Sequence, residues 1–114
     1  MAPRGQNALF VEFPIAGGFI DILAVDKDDK LVVIELKLSK GRSKTIGQLL
    51  YYMGWVDKNL EKGQCRGMIV ANEITDDLIT AVQRVPGVSL ARYSLNVAIE
   101  MVHPPQKASV VGQP

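Results

Sequence analysis

Residues 19–38 read FIDILAVDKDDKLVVIELKL, and the fold follows from how this stretch is read. Two apolar, β-branched runs, Phe19–Val25 and Leu31–Leu38, bracket Asp26–Lys30, a cluster of turn-forming residues. That pattern predicts a β-hairpin. Both runs are apolar on both faces, which places them inside a sheet rather than at its edge. Yet they carry Asp21, Glu35 and Lys37, and a charge in so apolar a setting is costly unless it is paired.

Side chains alternate along a strand, so Glu35 and Lys37 share one face. A hairpin pivoting about Asp28 pairs Val25 with Leu31, and counting back sets Asp21 opposite Glu35, with roughly 5 Å between their Cβ atoms. A slip of one residue would turn Asp21 to the other face. Opposed carboxylates repel and resist burial unless a cation lies between them. A hard divalent ion, Mg²⁺ or Mn²⁺, resolves that conflict, and such ions combine one or two carboxylates with water and phosphate oxygens. A lysine on the same face would orient or deprotonate water and offset phosphate charge, which is the equipment of phosphodiester hydrolysis. The plainer alternative is a Lys37–Glu35 salt bridge at the sheet end, with Asp21 in solvent.

Outward from the hairpin, Lys37, Lys40, Arg42 and Lys44 place four positive charges within eight residues. This is either a phosphate-binding patch or a solvated loop. Lys44–Leu60 then carries Ile46, Leu49, Leu50, Met53, Val56 and Leu60 at the spacing of one helical face, with Gly63 closing the helix. Gln48, Tyr52 and Trp55, with Lys44 and Asn59, fall on the opposite side. These aromatics can stack on bases, pack against a second copy of the chain, or be buried against other elements. A homodimer is therefore one partner expectation, and Lys40, Arg42, Lys44 and Tyr52 are the nucleic-acid-contact candidates.

Before the hairpin, Ala8–Phe13 reads as a short strand ended by Pro14 and the Gly17–Gly18 pair. After the helix, Cys65–Ala71 reads as a buried strand. Thr75 with Asp76 and Asp77 opens a helix that runs to about Val85 and stops at Pro86–Gly87. Val88–Tyr93 and Asn96–Val102 complete the series as a second hairpin around Ser94–Leu95. The order implies an α/β domain over residues 8–102, a mixed sheet with helices against it. The flanks, 1–7 and 103–114, are expected to be loose.

Composition narrows the function classes. The 114 residues suit a single domain, and 47% hydrophobic against 22% charged residues is a folding composition. A net charge of +1 excludes a purely electrostatic polyanion binder, so a nucleic acid must be met by a local patch. One cysteine, Cys65, and one histidine, His103, cannot make a disulfide or a zinc centre of the usual kind. No segment approaches the roughly 20 apolar residues of a membrane span, and no signal-peptide pattern opens the chain, so a cytoplasmic protein is expected. Phosphate-loop, dinucleotide and His-Glu-x-x-His patterns are missing as well.

Gly18–Leu23, Val32–Lys37 and Ile46-Gly47-Gln48 with Tyr52 together resemble the PD-(D/E)XK nuclease superfamily, above all its endonuclease NucS-type and recombination-nuclease branches. The resemblance covers residues 12–93. It implies a restriction-endonuclease-like mixed sheet whose central β-hairpin is flanked by helices, and a Mg²⁺-dependent DNA endonuclease acting in repair, recombination or restriction. It further implies Asp21, Glu35 and the Leu36 carbonyl as metal ligands, Lys37 as the catalytic lysine, and Gln48 as a polar helix residue reaching toward the site. Two departures stand out. Ile20 replaces the proline that names the motif. An acid-bearing N-terminal helix is missing, which leaves Glu12 as the one acid upstream of Asp21 and as a substitute ligand. A minimal version completed by a second copy, or an inactive DNA-binding module that keeps the fold, is the alternative these departures imply.

Overall fold

The computed structural model describes residues 8–103. Five strands, β1 (Ala8–Ile15), β2 (Gly18–Val25), β3 (Leu31–Gly41), β4 (Arg66–Ile74) and β5 (Val88–Arg92), form one sheet in chain order, β1-β2-β3-β4-β5. The first three are antiparallel neighbours; β3, β4 and β5 run parallel. Parallel neighbours need a crossover, and α1 (Thr45–Leu60) and α2 (Asp76–Val82) supply the two. The mixed sheet with β3 at its centre matches the fold expected from the sequence.

The hairpin register is the one counted from the turn: Val25 pairs with Leu31 and Ile22 with Ile34. Asp26 builds that turn. Its Oδ1 accepts the N–H groups of Asp28 at 2.8 Å and Lys30 at 3.0 Å, while Asp29 takes the left-handed conformation at φ 61°.

Both helices lie on one face of the sheet, because Gly67, Ile69 and Ala71 alternate onto the same side of β4. A Cβ on Gly67 would stand 2.5 Å from Met53 Sδ and 3.1 Å from Leu49 Cδ2, so only glycine lets α1 approach this closely. Leu78 of α2 reaches the same side beside Ala71 and Ile69. The core joins Ile20, Leu23, Leu31, Val33 and Ile69 of the sheet to Ile46, Leu49, Met53, Val56 and Leu78 of the helices. On the other face Ile22, Ile34, Met68 and Val70 are half-buried.

Several boundaries differ from expectation. β1 continues through Pro14 to Ile15; on an edge strand a missing N–H can face solvent. α1 ends with Glu61 in the left-handed conformation, two residues before Gly63. α2 stops at Val82, and turn hydrogen bonds carry the chain on to Val85. The second hairpin does not form. Residues 96–102 are not a strand, and Leu95, Val97, Ile99 and Met101 are each at least 64% exposed. Their alternation is a strand propensity, which is realised only against a neighbouring strand, and among the described residues none pairs with them. The flanks 1–7 and 104–114 lie outside the described residues. Among the described residues, no helix is long and apolar enough to cross a membrane.

Candidate active site

The ladder between β2 and β3 has its last pair at Ile22–Ile34, so the next position in register is Asp21 against Glu35. Here the backbones stop pairing and a side chain takes over. Asp21 Oδ2 accepts the N–H of Leu36 at 2.9 Å. On its far side β3 remains in register with β4, Glu35 beside Ile69 and Lys37 beside Ala71. Glu35 is thus fixed in the sheet centre, and it is only 4% exposed.

Such burial has an electrostatic consequence. Desolvation first, and then the adjacent Asp21 carboxylate, push Glu35 up to about 8 from an ordinary 4.5, while the Lys37 ammonium pulls the other way. Glu35 Oε2 is buried with no hydrogen-bond partner. Orphaned buried oxygens are uncommon and call for an explanation such as a bound ion. The donor set of two carboxylates, Asp21 half-buried and Glu35 buried, fits a hard oxygen-seeking cation such as Mg²⁺, which keeps waters for its remaining positions.

Glu12 stands apart from this pair. It occupies the register position across from Asp21, between the pairs Val11–Ile22 and Phe13–Ile20. However, it is exposed and its backbone is left-handed at φ 54°. Among the described residues no three His, Cys, Asp or Glu side chains gather into a metal-holding group. The two carboxylates that the strands set side by side are Asp21 and Glu35, and Glu12 is not grouped with them among the described residues.

The helix residues also differ in part from expectation. Of the alternatives for the helix aromatics, Tyr52 takes burial: it is 7% exposed in the core and not open to a nucleic-acid base. Its hydroxyl accepts from Gln48 Nε2 at 2.9 Å. The helical spacing holds, but α1 lies so close to the sheet that more than one stripe is covered. Tyr51, beside it, is exposed and donates to the Ala16 carbonyl at 3.1 Å, tying the β1–β2 turn to the helix.

The basic loop after β3 is held by residues whose sequence pattern marks only a helix start. Thr75 donates through both its N–H and its hydroxyl to the Gly41 carbonyl, at 3.1 and 3.0 Å. Asp77 Oδ2 accepts the Ser43 N–H at 3.4 Å. Hydrogen bonds from Thr75 and then Ser43 hold the Asp77 carboxyl down at about 2. The Ser/Thr-Asp cap pattern signals the helix, but nothing in sequence spacing signals this reach of 34 residues. Lys40 lies 4.0 Å from Glu73, an exposed and weak pair. Arg42 and Lys44 are exposed and enter no salt bridge among the described residues.

Cys65 is a core thiol: burial and the nearby Asp57 push it up to about 12, and its Sγ donates to the Met53 carbonyl at 3.5 Å. It is an unreactive group.

Known proteins are similar to this chain in sequence and in fold. The endonuclease NucS of Pyrococcus abyssi is 33% identical over 73 residues, which is 64% of this chain and 29% of that protein. Its Methanocaldococcus jannaschii counterpart is 31% identical over 72 residues, 63% of this chain and 27% of that protein. The chain thus spans less than a third of the curated relatives it matches. The crystal structure of a repair endonuclease from Pyrococcus abyssi superposes with a TM-score of 0.65 at 27% identity, covering 74% of this chain and 36% of that one. The structure of an EndoMS-dsDNA2 complex shares the fold, with a TM-score of 0.66 at 24% identity over 78% of this chain and 36% of that one. The model of the endonuclease NucS C-terminal domain matches residues 3–102, nearly the whole sequence, and the chain belongs to that family.

Proposed function

We propose that this chain is the nuclease domain of a DNA-repair endonuclease, and that it hydrolyses phosphodiester bonds in DNA with Mg²⁺ or Mn²⁺. The observation that carries the reading is the pairing of Asp21 with a buried Glu35 whose Oε2 has no partner. The sheet is built to hold two carboxylates together, and a divalent cation is what makes that arrangement favourable. Asp21, Glu35 and the Leu36 carbonyl would hold the ion. When bound, it supplies Lewis-acid stabilisation of phosphate charge and an acidified water.

The protein's own groups do the rest. Lys37, half-buried and close enough to pull Glu35 downward, presents an ammonium to the phosphate oxygens or to the attacking water. Gln48 braces Tyr52 one turn further along α1. Arg42 and Lys44, on a loop braced by Thr75 and Asp77, would meet the DNA backbone and set the register of the strand. Membership of the NucS C-terminal family and the likeness to a repair endonuclease support the substrate class.

A second reading has one observation in its favour: with Glu12 outside the pair, the carboxylates number two and not three. It makes the chain a DNA-binding module without turnover, or one half of a homodimer whose partner completes the site. The two readings separate in one experiment, cleavage of labelled DNA with Mg²⁺ compared with binding of the same DNA in EDTA. Metal-dependent cutting upholds the nuclease. Binding without cutting by folded protein upholds the module.

A further inference from the structure

Just beyond Lys37 the parallel ladder between β3 and β4 changes register. Lys37 pairs with Ala71 and Lys40 with Glu73, so Leu38 and Ser39 stand against the single residue Asn72. Bulges are rare between parallel strands, and they occur beside active sites where they re-aim a side chain. This one immediately follows the lysine assigned to phosphate chemistry.

Tyr93 closes over the bulge. Its N–H donates to the Ala71 carbonyl at 3.0 Å, and its hydroxyl donates to the Leu38 carbonyl, also at 3.0 Å. The side chain therefore reaches from the end of β5, past β4, to β3. On the other side of Lys37, the Leu36 N–H is held by Asp21. Both peptide neighbours of Lys37 are thus tied by side chains from distant segments, 15 residues upstream and 55 downstream.

We propose that Tyr93 is a positioning residue: by holding the Leu38 carbonyl it fixes the bulge, and the bulge aims Lys37 at the space beside Asp21 and Glu35. The proposal rests on the nuclease reading, in which Lys37 acts on phosphate or water. An extra residue without ladder partners is otherwise free to shift, and misplacing a reacting group by about 1 Å can cost on the order of a hundredfold in rate. Tyr93→Phe removes only the hydroxyl and keeps the ring, which makes it the sharpest variant.

The experiment uses the 114-residue chain and compares wild type, Tyr93→Phe, Lys37→Gln and the double variant on labelled DNA with Mn²⁺, alongside amide hydrogen exchange at residues 36–40. The expected result is a kcat about tenfold lower in Tyr93→Phe, a KM within about twofold, an unfolding midpoint close to wild type, and faster exchange around the bulge. In the Lys37→Gln background the tyrosine substitution has no further effect, because its influence passes through the lysine. Equal rates and equal exchange in wild type and Tyr93→Phe would overturn the proposal. So would the same fold-loss in both backgrounds, which would make Tyr93 a general brace of the fold. A wild type that cuts no DNA fails the nuclease reading instead; exchange then decides whether Tyr93 holds the bulge, and retained protection in Tyr93→Phe would overturn that too.

Discussion

Asp21 accepts the Leu36 N–H at 2.9 Å, a side-chain bond standing where the backbone ladder between β2 and β3 ends. This single bond explains how two carboxylates come to face each other inside a sheet. Past Ile22–Ile34 the strands no longer pair, and the aspartate spans the opening. One Asp21 oxygen stays committed to the backbone, while Glu35 Oε2 has no partner.

Relief of that confrontation should stabilise the protein. Glu35→Gln keeps the shape of the side chain and removes the charge, so thermal unfolding without divalent ions should occur at a higher temperature, by an amount matching about 1–3 kcal/mol. A lower midpoint would mean that Glu35 is already compensated in the fold.

The same residue sets a pH dependence. Glu35 binds its proton more tightly folded, at about 8, than unfolded, near 4.5. Its contribution to stability is therefore fully present below about pH 4.5 and is lost as pH rises through 8. Unfolding midpoints in EDTA should fall across that window in wild type and stay flatter in Glu35→Gln. Asp26 and Asp77, both lowered, act in the opposite sense, but only in more acidic solution.

The basic loop should show itself through salt. Replacing Arg42 and Lys44 by Gln should weaken DNA binding alike for all sequences and make the slope of log affinity against log salt shallower by about 1 for each phosphate that the protein ceases to neutralise. Fluorescence anisotropy over a salt series measures this, and an unchanged slope would place the DNA elsewhere.

Where α1 meets β4, Gly67→Val should destabilise by about 1–3 kcal/mol, because even a Cβ meets Met53 Sδ at 2.5 Å. Denaturant titration checks it.

Much of this is legible in the residues. The turn cluster and the run lengths of 19–38 fix the hairpin register, and with it the opposition of Asp21 to Glu35. Charges in an apolar strand mark the site. What cannot be read is long-range: the bond from Asp77 to Ser43 and the bulge after Lys37 both depend on how elements pack. The stretch 96–102 misleads for the same reason, since its alternation describes a strand only when a neighbour exists.

The decisive measurement is cleavage of a mixed panel of labelled single-stranded, duplex, flapped, mismatched and four-way DNA by the wild type and by Glu35→Gln, with Mg²⁺ or Mn²⁺ and with EDTA. Cutting is expected in the presence of metal, with none in EDTA and none by a Glu35→Gln protein that is folded. Cutting that persists in the variant or in EDTA, or no cutting of any substrate by folded wild type, would mean that Asp21 and Glu35 do not form a metal-dependent nuclease site.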